Sequence, residues 1–313
     1  MARDILFNKI TFIGIGLIGS SLARVIRRDG LAGSIVACAR TEQTRQTALD
    51  LDLADSATDD VADAVRDADL IVLCTPIGAY GAIAKQMSAS LKPGAIVTDV
   101  GSVKRSVIDA VAPHLPVGVH FVPSHPIAGT ENSGPEAGFD SLFEDRWLVL
   151  TPESGTDEVA VEQVAELWRR TGSKIERMDP DHHDQVLAIT SHVPHLIAYT
   201  IVGTATDLED RLKSEVVKFA ASGFRDFTRI AASDPVMWRD IFLNNKDAVL
   251  EMLGRLTEDL SGLQRAIRDG DGDGLEALFA RTREIRRSVI EAGQHIPPTP
   301  PDEAPPGDEA SDN

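Results

Sequence analysis

Two polar residues follow apolar runs that predict β-strands, and their chemistry suits proton removal from a small molecule. Ser102 comes after AIVTDV (95–100), and His125 comes after VHFVPS (119–124). Ligands of open α/β sheets bind just outside the carboxyl ends of the strands. A histidine there can hydrogen-bond a substrate hydroxyl and take its proton as a hydride leaves, because its ordinary pKa is about 6.5. The alternative is a loop histidine that only bonds the backbone.

The segment GIGLIG predicts a dinucleotide-binding loop. It follows the apolar run KITFIGI (9–15) and opens a helical segment, which is the context that makes this spacing specific. The first glycine permits a tight turn, the second lets a pyrophosphate approach the backbone, and the third lets the helix pack against the strand. The N–H groups of the first helical turn then face the phosphates. The predicted cofactor contacts are Gly14, Gly16, Leu17, Ile18 and Gly19.

The choice between NAD and NADP depends on the end of the second strand. An acid there binds the ribose 2′-hydroxyl of NAD, but the sequence reads Cys38-Ala39-Arg40-Thr41. Arg40 can pair with a 2′-phosphate or stack on adenine, which favours NADP slightly and leaves NAD open. Thr75 and Pro76, at the end of DLIVLCTP (69–76), are further predicted cofactor contacts.

The second half of the chain carries polar residues that suit an anionic substrate. TSHVPH (190–195) places two histidines three residues apart on one helix face, with a proline that should loosen the turn between them. Because no third ligand is in register, we predict no metal site. GFRDFTRI (223–230) and DPVMWR (234–239) place three arginines near aromatic residues. Arginine binds carboxylates in a bidentate manner, so the cluster suggests an acidic small substrate, with surface ion pairing as the alternative.

The elements that must position these residues fall into two regions. Up to about residue 178, short apolar runs alternate with helical segments, which predicts parallel βαβ units and a Rossmann-type doubly wound sheet. RWLVLTPE (146–153) predicts a further strand, followed by a helix near 157–171. Helical segments then follow at 182–206, 207–221, 234–268 and 274–292. We predict a dinucleotide-binding domain (1–178), an all-helical substrate-binding and dimerisation domain (179–295) and a disordered acidic, proline-rich tail (296–313).

Composition restricts the partners. The 313 residues include 31 basic and 49 acidic side chains, a net charge of −18, which disfavours binding to nucleic acid or anionic membranes. Two cysteines, Cys38 and Cys74, cannot form a disulfide framework, so we expect a cytoplasmic protein. We find no apolar run near the ~20 residues that span a bilayer. The wide apolar stripe at 197–205 favours a homodimer.

Together these motifs resemble the prephenate and arogenate (cyclohexadienyl) dehydrogenases of tyrosine biosynthesis. The resemblance runs from about residue 8 to 290 and is carried by GIGLIGSSLA, DVGSVK, SHPIAGTENSGPEAG, TSHVPH, FRDFTRIAASDPVMW and RDIFLNN. It implies oxidative decarboxylation of prephenate to 4-hydroxyphenylpyruvate or of arogenate to tyrosine. His125 would draw the proton from the ring hydroxyl, Ser102 would orient that histidine, and Arg229 would bind a substrate carboxylate. Further implied pocket residues are Thr130, His195, Ser191, His192, Glu131 and Trp238.

Two other functions remain open from the sequence. One is a two-domain dehydrogenase of 3-hydroxy acids, which uses a catalytic lysine in the helical domain. The available lysines, Lys213 and Lys218, lie outside the motifs quoted above. The other is a non-catalytic NAD(P)-binding sensor, which would have no need of Ser102, His125 and Arg229. The sequence does not decide between prephenate and arogenate, which differ only in a keto or amino group.

Overall fold

A computed structural model describes residues 5–206, 218 and 222–291 of the chain. Within these residues the N-terminal half contains a six-stranded sheet in the order β3-β2-β1-β4-β5-β6, with every recorded pairing parallel. From β1 the strand order runs to β3 on one side and from β4 to β6 on the other, so the topological switch point lies between β1 and β4. Ligands of such sheets bind at this point. The strands are β1 (Phe7–Ile13), β2 (Ala32–Cys38), β3 (Ser56–Thr58), β4 (Leu70–Leu73), β5 (Ile96–Asp99) and β6 (His120–Val122).

Helices cover both faces of this sheet. Successive strand residues point to opposite faces, so Phe12 of β1 packs in one buried cluster with Leu22 and Trp168, while Ile13 packs in another with Tyr80. This arrangement confirms the doubly wound fold predicted from the sequence. The helices of this half are α1 (Leu17–Asp29), α2 (Glu42–Asp50), α3 (Val61–Ala64), α4 (Tyr80–Met87), α5 (Arg105–Val111) and α6 (Glu158–Arg170).

A second, three-stranded sheet holds the sequence around His125, and the sequence analysis did not foresee it. The predicted strand 119–124 divides at Pro123, because proline has no N–H for a sheet hydrogen bond. After β6 the chain continues as β7 (Ser124–Pro126), which pairs antiparallel with β8 (Trp147–Leu150). The strand β9 (Lys174–Arg177) pairs parallel with β8. His125 therefore lies on a strand and not in a loop.

The remainder of the described chain is helical, as predicted, but its segments are shorter. A π-helical segment, Ala188–His192, precedes Pro194, whose missing N–H weakens the α-helical hydrogen bonding there. The predicted helix 234–268 is divided at Asn245. Of the predicted helix 207–221, the structure describes residue 218 alone. The predicted tail 296–313 also lies outside the described residues. The helices are α7 (Pro180–Leu187), α8 (Val193–Thr206), α9 (Ser222–Thr228), α10 (Pro235–Asn244), α11 (Lys246–Asp269) and α12 (Gly272–Glu291).

One helical stretch of the described chain, Pro180–Ala205, is long and apolar enough by length and composition to cross a membrane. The sequence analysis did not anticipate this. The same stretch carries the buried polar residues His183, Asp184 and His192, which contact the N-terminal half or Asn245, the residue between α10 and α11. These buried polar contacts hold one face of the stretch inside the protein.

Candidate active site

The glycine loop has a backbone that other residues could not adopt. Gly14 has a φ of +88°, and a Cβ atom there would lie 2.9 Å from the carbonyl group of Cys74 and from the Thr75 side chain. Its N–H donates to the Cys38 carbonyl oxygen at 2.8 Å, which joins the loop to the end of β2. At Gly19 a Cβ would come within 3.1 Å of the Gly14 oxygen. The loop therefore requires glycine for close packing at both positions.

Gly16 differs, because the space beside it is open. It caps the N-terminus of α1 without a side-chain hydrogen bond, and a Cβ built there meets nothing within 4 Å. Its neighbours Leu17 and Ile18 begin α1, whose first turn contains no acidic residue. Free N–H groups at a helix N-terminus, together with the open space, fit a pyrophosphate. The structure thus brings together the five predicted glycine-loop residues.

The rim of this cleft carries the other predicted cofactor contacts. Thr75 follows β4 beside Gly14, and its buried hydroxyl oxygen has no hydrogen-bond partner among the described residues. Pro76 caps the short 3₁₀ turn after it. Arg40 is exposed after β2 and forms no ion pair with the described residues, whereas Arg45 donates to the Ala39 and Arg40 carbonyl oxygens at 2.9 and 3.0 Å. Arg40 is therefore available at the edge where a cofactor ribose would lie.

His125 belongs to a buried chain of hydrogen-bonded polar groups. Its side chain lies on β7 with 8% of the residue exposed, and its Nδ1 is 2.9 Å from Nε2 of His183. The Nδ1 of His183 is 2.8 Å from Oδ1 of Asp184. Asp184 also accepts from the backbone N–H groups of Lys104 at 2.8 Å and Arg105 at 2.9 Å. The carboxylate is thereby fixed at the start of α5.

This geometry determines which ring nitrogen can act as a base. Because Asp184 accepts hydrogen bonds, the neutral His183 carries its proton on Nδ1 and accepts at Nε2. His125 must then donate from Nδ1, which leaves the lone pair on its Nε2. Burial lowers the pKa of His125 well below its ordinary value, and His183, Lys104 and His192 lower it further. Burial also lowers the pKa of His183, although Asp184 opposes the effect. Both rings are therefore neutral near pH 7.

Ser102 and His192 adjoin this chain. Ser102 is half-buried in the loop between β5 and α5, and its hydroxyl makes no hydrogen bond with the described residues. His183, and not Ser102, is the residue bonded to Nδ1 of His125. Asn245 donates through Nδ2 to Nδ1 of His192 at 3.0 Å and to the Asp184 carbonyl oxygen at 2.8 Å. Burial lowers the pKa of His192 to about 4, so this ring is also neutral.

The predicted substrate-contacting residues form a second group beside the first. His195 stacks on Trp238 with ring centroids 3.7 Å apart, and its Nδ1 is 2.9 Å from the Ser191 carbonyl oxygen. The Arg229 guanidinium lowers the pKa of His195, although burial has the larger effect. Arg229 Nη1 lies 2.9 Å from Glu131 Oε2, and both side chains are partly exposed. The structure thus brings these predicted residues together.

Thr130 lies next to Glu131 in the loop after β7. Its side-chain oxygen accepts from the Asn132 backbone N–H at 3.2 Å, which stabilises a local turn. Thr130 is half-buried, between the exposed residues Gly129 and Glu131. β7 and the loop after it therefore carry the buried imidazole and the outer end of the predicted pocket.

Sequence reasoning missed three residues of the site: His183, Asp184 and Asn245. The segment DPDHHD (179–184) has the pattern of a capped helix start, and Asp179 does cap α7 by accepting from the N–H groups of Asp181 and His182. The signal available was an adjacent His-Asp pair on the buried face of that helix. His182 is exposed and His183 is buried, as helical spacing requires, but the sequence does not show that His183 reaches β7.

The chemistry of this cleft is proton transfer without a metal ligand set. Among the described residues, no group of three His, Cys, Asp or Glu side chains is placed to hold a metal ion. His192 and His195 each have a ring nitrogen engaged elsewhere, with Asn245 and with the Ser191 carbonyl oxygen. The cleft instead offers unprotonated Nε2 atoms on His125 and His195, one arginine and a phosphate-binding helix N-terminus.

Comparison with known proteins identifies the family. Residues 22–177 match the model of the prephenate dehydrogenase nucleotide-binding domain, and residues 179–281 match that of the prephenate dehydrogenase dimerization domain. The cyclohexadienyl dehydrogenase of Zymomonas mobilis is 43% identical over 283 residues, which cover 90% of this chain and 96% of that protein.

Solved structures give the same result for the fold. The crystal structure of prephenate dehydrogenase from A. aeolicus in complex with hydroxyphenyl propionate and NAD+ aligns with a TM-score of 0.83 and 35% identity, covering 90% of this chain and 98% of that chain. Synechocystis arogenate dehydrogenase aligns with a TM-score of 0.75 and 30% identity, covering 90% and 99%. These findings confirm the fold class and the oxidoreductase family predicted from the sequence. This chain belongs to the prephenate dehydrogenase family.

Proposed function

We propose that this chain catalyses the NAD(P)-dependent oxidative decarboxylation of prephenate to 4-hydroxyphenylpyruvate, of arogenate to tyrosine, or of both. The observation that carries the proposal is the hydrogen-bonded chain Asp184–His183–His125, which leaves Nε2 of His125 as a neutral acceptor. A substrate that bears a ring hydroxyl and two carboxylates needs one base and a cationic group, and the cleft contains both.

His125 removes the proton of the ring hydroxyl at C4 while the hydride on C4 leaves. The bound nicotinamide, in its oxidised form, is the hydride acceptor. Once C4 is a carbonyl, the bond from the ring to its carboxylate breaks, carbon dioxide leaves, and the electron pair moves into the ring, which becomes aromatic with a phenolate oxygen at C4. That oxygen takes the proton back from His125, which restores the neutral base. The proton received at Nε2 makes His125 cationic, and its Nδ1–H then points through His183 to the Asp184 carboxylate. That carboxylate stabilises the transient charge.

Arg229 binds a substrate carboxylate, and Glu131 holds the guanidinium until the substrate arrives. Their 2.9 Å ion pair is partly exposed, so a substrate anion can compete with Glu131 at little cost. The stacked His195–Trp238 pair forms an apolar wall, and His195 retains Nε2 for a polar contact because Nδ1 is bonded to Ser191. Thr130, Ser102 and His192 complete the pocket near the reacting ring.

The glycine loop and the N-terminus of α1 hold the pyrophosphate of the cofactor through Gly14, Gly16, Leu17, Ile18 and Gly19. Thr75 and Pro76 border the nicotinamide side of the cleft. We favour NADP over NAD because the exposed Arg40 stands where an acid would select the ribose hydroxyl. Its guanidinium has no ion-pair partner among the described residues and can receive a 2′-phosphate.

Two copies of the chain form a homodimer through residues 179–295, with residues 1–178 as the cofactor-binding domain of each. The name of the matching C-terminal family model supports this, as do exposed apolar side chains on the described helices. They include Ile201, Leu250, Leu260, Ile267, Phe279 and Ile285. We place the enzyme in the cytoplasm, which suits two unpaired cysteines.

The proposed function is tested by mixing the purified protein with prephenate or arogenate and with NAD or NADP, and by following nicotinamide reduction in all four mixtures. We expect turnover with at least one acid, and faster turnover with NADP than with NAD. Absence of reduction in all four mixtures, from folded protein that binds the cofactor, would contradict the proposal. Faster turnover with NAD would contradict only the assignment of Arg40.

A further inference from the structure

Lys104 and Asp99 form a buried ion pair beneath the active site that the proposed reaction does not use directly. Both side chains are 0% exposed, and Lys104 Nζ lies 2.5 Å from Asp99 Oδ2. Asp99 also accepts from the backbone N–H groups of Gly101 and Ser124, at 2.8 and 3.1 Å. Burial raises the pKa of Asp99 and lowers that of Lys104, and the opposite charge of each partner counters the shift in the other. Asp99 receives three donors and gives none, as an ionised carboxylate does. Burial of such a pair is costly and adds little to stability.

This ion pair holds the residue that precedes His125. Lys104 Nζ donates to the Ser124 carbonyl oxygen at 2.7 Å, and the Ser124 hydroxyl donates to the Asp99 carbonyl oxygen at 2.5 Å. The hydrogen bonds of Ser124 to Lys104 and Asp99 therefore fix the peptide bond that links Ser124 to His125. Because β7 is only three residues long and pairs with β8 along one edge, few other contacts define its position.

The same lysine reaches the other end of the histidine pair. Its backbone N–H donates to Oδ1 of Asp184, the oxygen that also binds His183. Lys104 thus bonds the Ser124 carbonyl oxygen, next to His125, through its ammonium group. Its backbone N–H bonds the Asp184 carboxylate, next to His183. No other described residue bonds both Ser124 and Asp184.

We propose that Lys104, paired with Asp99, is a positioning residue that aligns His125 with His183 and places its ammonium charge near the two rings. The inference rests on the proposed role of His125 as the base. The lysine touches neither ring and acts on the reaction only through the peptide that it holds and through its charge.

The effect of the Lys104 charge on the pKa of His125 follows from the groups around this histidine. His125 faces His183 of α7, His192 of the π-helical segment, and Lys104 of the segment before α5. Asp184 and Asp99 act on His183, and both raise its pKa. Lys104 lowers the pKa of both histidines. Loss of the ammonium group should therefore raise the pKa of His125 and leave less neutral base at a given acidic pH.

The test uses the double variant Asp99→Asn/Lys104→Met in the full chain. Lys104→Met alone would leave Asp99 charged and unpaired in the interior and could prevent folding. The double substitution removes both charges with little change in volume. The matched control is Lys92→Met, which breaks another lysine–aspartate pair, with Asp69, at the opposite end of the strands.

We expect the double variant to lose about tenfold or more in kcat, with KM values for both substrates within about threefold of the wild type. We also expect the acid limb of its pH profile of kcat/KM to move to higher pH. Lys92→Met should keep the wild-type kcat and pH profile. An unchanged kcat or an unchanged acid limb in the folded double variant overturns the proposal, as does an equal shift in Lys92→Met.

His125→Asn, measured in parallel, separates this inference from the proposed function. If His125→Asn is inactive and the double variant behaves like the wild type, the role of Lys104 fails and that of His125 stands. If His125→Asn keeps the wild-type kcat, His125 is not the base and both fail. A double variant that melts earlier but has wild-type kinetics shows that the ion pair serves folding alone, which also overturns the proposal.

Discussion

Replacement of His183 by phenylalanine tests the link between the base and its carboxylate. Phenylalanine retains an aromatic ring in the edge-on contact with His125, whose ring centroid lies 5.1 Å away. It removes the acceptor of the 2.9 Å hydrogen bond from Nδ1 of His125. Asp184 keeps the backbone N–H donors of Lys104 and Arg105, so the packing of α7 against α5 should survive.

The expected loss follows from the buried N–H group that is left without a partner. An unsatisfied donor of this kind costs about 1–3 kcal/mol. The cost is greater once His125 has accepted the proton, because the ring is then cationic and cut off from Asp184. Since about 1.4 kcal/mol corresponds to a factor of ten in rate, kcat should fall by about ten- to a hundredfold. The KM for the substrate should change little, because His183 lies behind His125.

Steady-state rates of nicotinamide reduction measure this effect, with thermal melting as the check on folding. His182→Phe is the matched control, because His182 is the exposed neighbour on the same helix and should give wild-type kinetics. His183→Gln, whose amide oxygen can accept near the position of Nε2, should recover part of the rate. Wild-type kcat in folded His183→Phe would refute the hydrogen-bonded chain as a functional unit.

Three further predictions concern the substrate, the cofactor and the pH profile. Arg229→Ala should raise the KM for the substrate by about ten- to a hundredfold with a smaller effect on kcat, because a charged hydrogen bond contributes about 1.5–3 kcal/mol. Arg225→Ala, at another exposed arginine, is the control, and an unchanged KM in Arg229→Ala would contradict the carboxylate-binding role. Arg40→Ala should reduce kcat/KM for NADP by about tenfold or more and leave NAD nearly unaffected, whereas equal losses would contradict a 2′-phosphate contact. Because burial lowers the pKa of His125 and the base acts in its neutral form, kcat/KM should stay level as the pH falls to 6.5 and decline only below it; an acid limb above pH 6.5 would contradict a buried neutral base.

The glycine loop and the main sheet could be predicted from the sequence because their causes are local. The spacing of Gly14, Gly16 and Gly19 after an apolar run reflects a turn and a close approach that depend on a few neighbouring residues. The alternation of strands and helices is likewise visible within short windows. The all-helical character of the second half followed from the same kind of pattern.

The histidine chain could not be predicted because it is made by contacts between distant segments. His125 and His183 are separated by 58 positions, and nothing near His183 indicates which element its ring meets. The second sheet was missed for a similar reason, since β7 is three residues long and depends on β8 for its pairing. The role of Ser102 in orienting His125 stays a prediction, and His183 is the residue that lies beside Nδ1 of His125.

The central claim is that His125 is the base of an NAD(P)-dependent oxidative decarboxylation. Turnover of prephenate and arogenate by His125→Asn, compared with the wild type, tests it most directly, with cofactor binding measured on the same samples. We predict a fall in kcat of about a hundred- to ten-thousandfold with cofactor affinity within about twofold of the wild type. A folded His125→Asn protein that turns over either substrate at the wild-type rate would contradict the account.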